Sequence, residues 1–266
     1  MSKLKDRVAI VTGAGTGIGR ETAKKLAAEG ATVILVGRRR EPLQQVVDEI
    51  AAKDGRAFAR PTDITRPEEV EALVRWAAAE FGSVDILVNN AGSAIGPRNI
   101  SWIGPQDWQA TIDANLTAVY LLSRAVLGGM LKRGGGTILT ISSGAALRPN
   151  MLGGAAYGAA KAGVRNLMSY LHNTFRNQGI RATTITPGEV NTPILDDRPR
   201  PPSEDERQAM MQPEDVAEAV VLCCTLPVRT VVEELVMVPT RMRDQSADVE
   251  LARWFGAPAG ERQASA

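Results

Sequence analysis

Tyr157 and Lys161 stand four residues apart in an otherwise small-residue stretch, Ala-Ala-Tyr-Gly-Ala-Ala-Lys-Ala-Gly-Val, at 155–164. On a helix that spacing puts both on one face, one turn apart. An ammonium beside a phenol favours the phenolate, so Tyr157 is expected to ionise more readily than a free tyrosine, whose pKa is about 10. Bringing it near neutrality takes about 4 kcal/mol, more than one lysine supplies, so a second cation would help. The small neighbours let another molecule approach closely. Taken alone, the pair also suits an ordinary surface helix.

Two further stretches carry chemistry. In Thr12-Gly13-Ala14-Gly15-Thr16-Gly17-Ile18-Gly19, glycines lie between a strand-like run and a helix-like run. Such a turn lets backbone amides approach a pyrophosphate at a helix N-terminus, so Gly13, Gly15, Thr16, Gly17, Ile18 and Gly19 are candidate dinucleotide contacts. The other reading is a glycine-rich connector. Dinucleotide folds that prefer NAD hold an acidic residue about twenty positions further on, against the ribose 2′-hydroxyl. Gly37 stands there instead, followed by Arg38, Arg39 and Arg40. Guanidinium groups suit a 2′-phosphate, so Arg38 and Arg39 favour NADP, with NAD the weaker expectation, over a merely solvated basic helix start.

The elements that must position these residues alternate. Strands are expected at 8–11, 32–36, 57–60, 84–88, 137–141, 180–185 and 234–238, and helices at 21–29, 41–53, from Pro67, 105–132, 155–177 and 213–226. Short apolar strands between helices imply an α/β fold: one doubly wound parallel sheet of Rossmann type, in three αβα layers. The irregular stretch 195–212 reads as a surface linker or as a lid, and its place after a strand favours the lid. A short helix around 249–255 and a frayed end at 257–266 complete a tail at 243–266, beyond a main domain at 1–242.

Ser142-Ser143 follow the fifth strand, Asn115 lies in the long helix, and Asn89-Asn90-Ala91-Gly92 ends the fourth strand. With the glycine turn and Tyr157-x-x-x-Lys161, in this order, the chain resembles the short-chain dehydrogenase/reductase family from Arg7 to about Pro239. The resemblance implies a catalytic tetrad of Asn115, Ser143, Tyr157 and Lys161. Tyr157 would pass a proton to or from the substrate oxygen and Ser143 would hydrogen-bond that oxygen. Lys161 would lower the tyrosine pKa and hold the nicotinamide ribose, and Asn115 would anchor a water leading to solvent. It also implies cofactor contacts from Asp63 and Ile64, from Asn90, Ala91 and Gly92, and from Pro187, Gly188, Val190 and Thr192. Asn89 would brace the central strand, Ser142 is structural, and His172 packs on the tyrosine helix. The implied reaction interconverts a ketone and a secondary alcohol, as in 3-oxoacyl-type or general carbonyl reductases. A dinucleotide-binding protein without turnover and a lyase or epimerase that retains its cofactor are the alternatives. The family's usual Asp-Gly-Gly near the last strand is missing from 233–240, which leaves tetramer and dimer both open for a homo-oligomer. Met151-Leu152-Gly153-Gly154, in a slightly long Ser143–Tyr157 gap, would border the pocket and suits a small-molecule carbonyl or alcohol with an apolar part.

Composition narrows the partners. A net charge of +1 over 266 residues gives no electrostatic reason to expect nucleic acid. Adjacent Cys223 and Cys224 make no disulfide framework, and no Cys/His cluster is present to hold a metal. No signal peptide or membrane-length apolar run is expected, which points to a cytoplasmic protein without a membrane partner.

Overall fold

The computed structural model describes residues 2–94 and 96–261. Seven strands form one parallel sheet: β1 (Val8–Thr12), β2 (Thr32–Gly37), β3 (Arg56–Pro61), β4 (Ile86–Asn89), β5 (Gly136–Ile141), β6 (Ile180–Pro187) and β7 (Glu234–Met237). Their order across the sheet is β3-β2-β1-β4-β5-β6-β7. The chain thus starts in the middle, runs outward to one edge, and returns beside β1 to build the other half. Between β1 and β4 the direction of winding reverses, which is where doubly wound sheets open a crevice at their carboxyl ends.

Alternation along the strands sorts side chains onto two faces. Ala9 and Val11 of β1 and Val33 and Leu35 of β2 pack with Leu26 of α1 (Gly17–Ala28), Leu43 and Val46 of α2 (Arg40–Ala51). Ile10, Ile34 and Val36 face the other way, toward Leu73 of α3 (Pro67–Phe81) and Leu122 of the long central helix. Each such large side chain, removed from water, stabilises the fold by about 1.5–3 kcal/mol. Both faces are covered, so the strands read as apolar without polar alternation.

The long helix is not uniform. It runs as α4 (Pro105–Ile112), a π-helical segment (Asp113–Thr117) and α5 (Ala118–Arg133). By length and composition this stretch is apolar enough to cross a membrane, contrary to the sequence expectation, and 44% of its most apolar window is buried inside the molecule. Its apolarity serves the packing of Val119, Leu122, Val126 and Met130 against the sheet. After it come α6 (Ala155–Phe175), α7 (Glu204–Gln208), α8 (Pro213–Thr225) and α9 (Ser246–Trp254).

Some boundaries depart from the sequence expectation. β4 begins at Ile86, although the Asp85 backbone still pairs with Val8 and Thr137, both at 2.9 Å, and its carboxylate accepts from the Val8 amide at 2.8 Å and from Arg7 at 3.0 Å. The glycine turn forms the first turn of α1, which begins four residues before Glu21. Within the stretch at 195–212, α7 appears, closed at its start by a capping box between Ser203 and Glu206. Trp102 Nε1 and Asn99 Nδ2 both donate to the Arg253 carbonyl, at 3.0 and 3.1 Å, which docks α9 on the loop before α4. Of the expected frayed end, residues 262–266 lie outside the described residues.

Two glycines of the turn are demanded by space. Gly13 has φ +63°, and a Cβ at Gly19 would stand 2.3 Å from the Gly13 carbonyl oxygen. Gly19→Ala is therefore expected to cost about 1–3 kcal/mol through forced displacement of turn from helix. Thermal unfolding checks it: the midpoint should drop by several degrees, and an unchanged midpoint would contradict this packing.

Candidate active site

The reversal of winding puts the carboxyl ends of β1 and β4 side by side, and a cleft of about 420 Å³ opens above them. Asn90 locks the two ends together. Its amide nitrogen Nδ2 donates to the Thr12 carbonyl at 2.9 Å, and Thr12 Oγ1 accepts from the backbone N–H of Asn90 and of Ala91, both at 3.0 Å. Asn89 points into the sheet instead, buried, with Nδ2 near Ser123 Oγ and Thr140 Oγ1.

The glycine turn borders this cleft. Gly13, Thr16, Gly17 and Ile18 line it, together with Asn90, Ala91 and Gly92 from the next strand end. The bare backbone leads into the N-terminus of α1, a twelve-residue helix whose first amides are free to meet an anion. A side chain at Gly13 would fill that cradle, meeting Asn90 Nδ2 at 2.9 Å. The cradle therefore fits a dinucleotide pyrophosphate. Pro187, at the end of β6, and Gly188, Val190 and Thr192 beyond it line the opposite wall, and Thr192 Cγ2 lies 3.2 Å from where a Gly17 Cβ would stand. Gly15 and Gly19 sit behind the lining, where they shape the turn.

Farther out, Arg38 and Arg39 are exposed at the end of β2, and neither forms a side-chain hydrogen bond or ion pair among the described residues. Asp63 lies beyond β3 next to half-buried Ile64, and its Oδ1 accepts from the Thr65 amide at 3.0 Å and hydroxyl at 2.7 Å. Those two bonds, with the charge of Arg38 as a smaller influence, hold the Asp63 carboxyl below its ordinary pKa.

The tetrad residues come from three elements. Ser143 caps a short 3₁₀ turn after β5, its Oγ accepting from the Ala145 amide at 3.2 Å, and lines the cleft together with Tyr157 of α6. Ser142 faces the other way, buried, and donates to the Lys161 carbonyl at 3.2 Å. Lys161 Nζ donates to the Ile141 carbonyl at 2.9 Å and lies 5.5 Å from the Tyr157 ring centroid. Asn115 is buried in the π-helical segment and donates to the carbonyls of Ser93 at 2.6 Å and Thr111 at 2.8 Å. Its Oδ1 accepts from no protein group among the described residues. A methyl on Gly92 would stand 2.6 Å from that oxygen and 3.3 Å from Lys161 Nζ, so both atoms flank the same bare glycine. The π-segment, which turns Asn115 inward out of the regular ladder, has no signal in the residue pattern.

The electrostatics differ from the sequence expectation. Burial raises the Tyr157 pKa rather than lowering it, although the Ser143 hydroxyl and the charges of Arg98 and Arg198 oppose the rise. The two arginines favour the phenolate by their charge, while the Lys161 ammonium, bonded to the Ile141 carbonyl, lies over the face of the ring, 5.5 Å from its centroid. Burial in turn pulls Lys161 down to about 8. Arg98 and Arg198, from the loop after β4 and the stretch after β6, line the cleft unannounced by any motif. His172 is buried with Nε2 3.8 Å from Glu233, away from the cleft lining. No group of three or more metal-ligating side chains occurs among the described residues.

Residues 7–202 match the family model described as short chain dehydrogenase. The chain belongs to the short-chain dehydrogenase/reductase family. An uncharacterized oxidoreductase of Staphylococcus aureus strain USA300 is 34% identical over 239 residues, 90% of this chain and all of that one. Among solved structures, a metagenomic short-chain oxidoreductase in complex with NADP matches with a TM-score of 0.78 at 34% identity, over 91% of this chain and 100% of that one. A 7α-hydroxysteroid dehydrogenase complexed with NADH and 7-oxo glycochenodeoxycholic acid matches with a TM-score of 0.81 at 33% identity, over 91% and 96%. Membership in this oxidoreductase family accords with the sheet order and with the cleft at its winding reversal.

The buried lysine gives this short-chain dehydrogenase a pH signature. Lys161 titrates at about 8 when folded and at the ordinary 10.5 when unfolded, so between these values the unfolded chain binds more protons and stability rises with pH. Below about pH 8 the fold carries the whole cost of the buried charge. Relative to Lys161→Met, the parent should therefore gain stability from pH 8 to 10 in denaturant titrations of cofactor-free protein. A difference that stays constant over that range would refute the buried charge.

Proposed function

We propose that the protein is an NADP(H)-preferring oxidoreductase that interconverts a ketone and a secondary alcohol. The observation that carries this reading is the convergence of Ser143, Tyr157 and Lys161 on the same cleft as the glycine turn. When bound, a nicotinamide cofactor supplies or accepts the hydride at the carbonyl carbon. The chain's own residues manage the proton. Ser143 lines the cleft together with Tyr157, where a substrate oxygen can bond to both hydroxyls as charge develops on it. The raised pKa keeps the Tyr157 phenol protonated at neutrality, the form that reduction uses. Oxidation needs the phenolate, which Arg98, Arg198 and a bound cationic ring all favour. Lys161 has donors to spare beyond Ile141 for a ribose hydroxyl, and Asn115 Oδ1 beside it offers an acceptor for a proton path to solvent.

The free guanidinium groups of Arg38 and Arg39 support a 2′-phosphate contact, with Gly37 offering no carboxylate to repel it. Asp63 and Ile64 would meet the adenine, and Val190 and Thr192 the carboxamide. Relatives bound to NADP and to NADH both fall within the fold, so the arginines carry the preference. Residues 1–242 form the dehydrogenase domain in this reading and 243–266 a partly helical tail. Exposed Tyr120 on α5 and Tyr170 on α6 suit a homo-oligomer contact.

Tyr157→Phe is expected to lower kcat by about 10²–10⁴-fold while NADPH binding, followed by fluorescence, stays intact. Turnover persisting in that variant sinks the mechanism. Arg38→Ala should weaken NADPH by about 1.5–3 kcal/mol and leave NADH affinity nearly unchanged. Equal losses for both cofactors would remove the argument for NADP.

A further inference from the structure

Arg98 is 7% exposed, yet its side chain forms no hydrogen bond and no ion pair among the described residues. Its backbone is held firmly. The Arg98 carbonyl accepts from the Ala155 amide at 3.0 Å, and Gly154, at φ +78°, packs so closely that a Cβ there would lie 2.9 Å from Arg98 Cα. The residue is thus pinned to the first turn of α6, the helix that carries Tyr157, and its guanidinium lines the cleft with Tyr157 and Ser143. It is near enough to the phenol for its charge to favour ionisation there.

Most of the Arg98 side chain is out of water and its guanidinium has no bonded partner among the described residues, so its donors open only onto the cleft. The other deeply placed arginine of this cleft obeys the usual rule. Arg243 is bound to Glu189 at 2.9 Å and to Glu206 at 3.2 Å. Arg198 also takes Glu189, at 2.7 Å, so the carboxylate nearest the cleft is already engaged by two arginines. Exposed Arg148 and Arg241 add positive charge at the cleft margin, against Glu189 and Glu206 as its only acidic lining residues. The wall nearest the reacting hydroxyls is therefore cationic, with one fork of donors unused. Leu152, Leu195 and Met210 make the rest of the wall apolar.

We propose that Arg98 receives a carboxylate of the substrate, so that the carbonyl compound is an oxo acid and the alcohol its hydroxy acid, with an apolar remainder. This rests on the oxidoreductase reading above and names its substrate class. The planar fork of Arg98 matches a carboxylate with two parallel hydrogen bonds, and its anchorage to α6 fixes the acid group relative to Tyr157.

The test compares 2-, 3- and 4-oxo alkanoic acids with their methyl esters, using NADPH and the parent, Arg98→Gln and Arg98→Lys proteins. The parent should favour the best acid over its ester by about 30-fold or more in kcat/KM. Arg98→Gln should erase that preference, the acid losing about tenfold or more beyond any loss on the ester and chiefly through KM, and Arg98→Lys should restore part of it. Because the change removes a buried unpaired charge, Arg98→Gln should melt no lower than the parent, with NADPH affinity unchanged. A parent that prefers esters, equal losses on acid and ester, a lowered melting point or weakened NADPH binding would each overturn the assignment. Calorimetry separates this from the reading it rests on. The same acids should bind Tyr157→Phe loaded with NADPH and fail to bind the Tyr157→Phe/Arg98→Gln double variant, whereas turnover persisting in Tyr157→Phe defeats the mechanism alone.

Discussion

A reciprocal clamp between α6 and the end of β5 sets the geometry on which the cleft depends. Lys161 Nζ donates to the Ile141 carbonyl, and one residue later Ser142 Oγ donates to the Lys161 carbonyl. Both bonds are buried, so breaking either leaves a polar group unpaired away from water, at about 1–3 kcal/mol. The clamp fixes the roll of the helix against the strand. One turn before Lys161, Tyr157 is thereby presented to Ser143, the next residue beyond the clamp on the other side. The small residues at 158–160 let helix and strand end come this close, with a Cβ on Gly158 only 3.6 Å from the Ala145 carbonyl oxygen.

The same burial decides the electrostatics. Sealed under the helix, Lys161 loses proton affinity while the phenol gains it. The charges that oppose the rise at Tyr157 come from Arg98 and Arg198, which line the same cleft. The ionisation of Tyr157 is thus tied to the charge on the cleft wall.

Over the cleft, ion pairs join the stretch after β6 to the tail. Glu189 holds Arg198 and Arg243, Glu206 holds Arg200 and Arg243, and buried Asp248 of α9 accepts from Arg200 at 2.6 Å. Arg207 reaches Asn191 at 3.1 Å, Val190 pairs with Met211 in a parallel bridge, and Leu195, Met210 and Met211 are buried beneath it. The lid reading of this stretch gains from Leu195, Arg198 and Met210 lining the cleft. The tail beyond 243 completes that wall through Arg243 and Gln245.

What the sequence by itself determined was whatever depends on neighbours along the chain. Alternating apolar runs and amphipathic helices specify the layers, because burial on two faces needs no knowledge of distant residues. The glycine turn, the Ser143 position after its strand and the Tyr157–Lys161 spacing are equally local, and they fall on one cleft. Tertiary structure alone decided the rest. The rise of the Tyr157 pKa, the turn of Lys161 toward Ile141 and the π-segment at Asn115 follow from burial and from contacts across 20 residues or more. Arg98 is a lone arginine in a loop until Gly154 pins it to α6, and only the fold shows that no carboxylate of the described chain bonds to it, Asp197 acting on it only through its charge. Spacing along a chain encodes which residues share a face; the dielectric around them and the partners they lack exist only once the faces have closed.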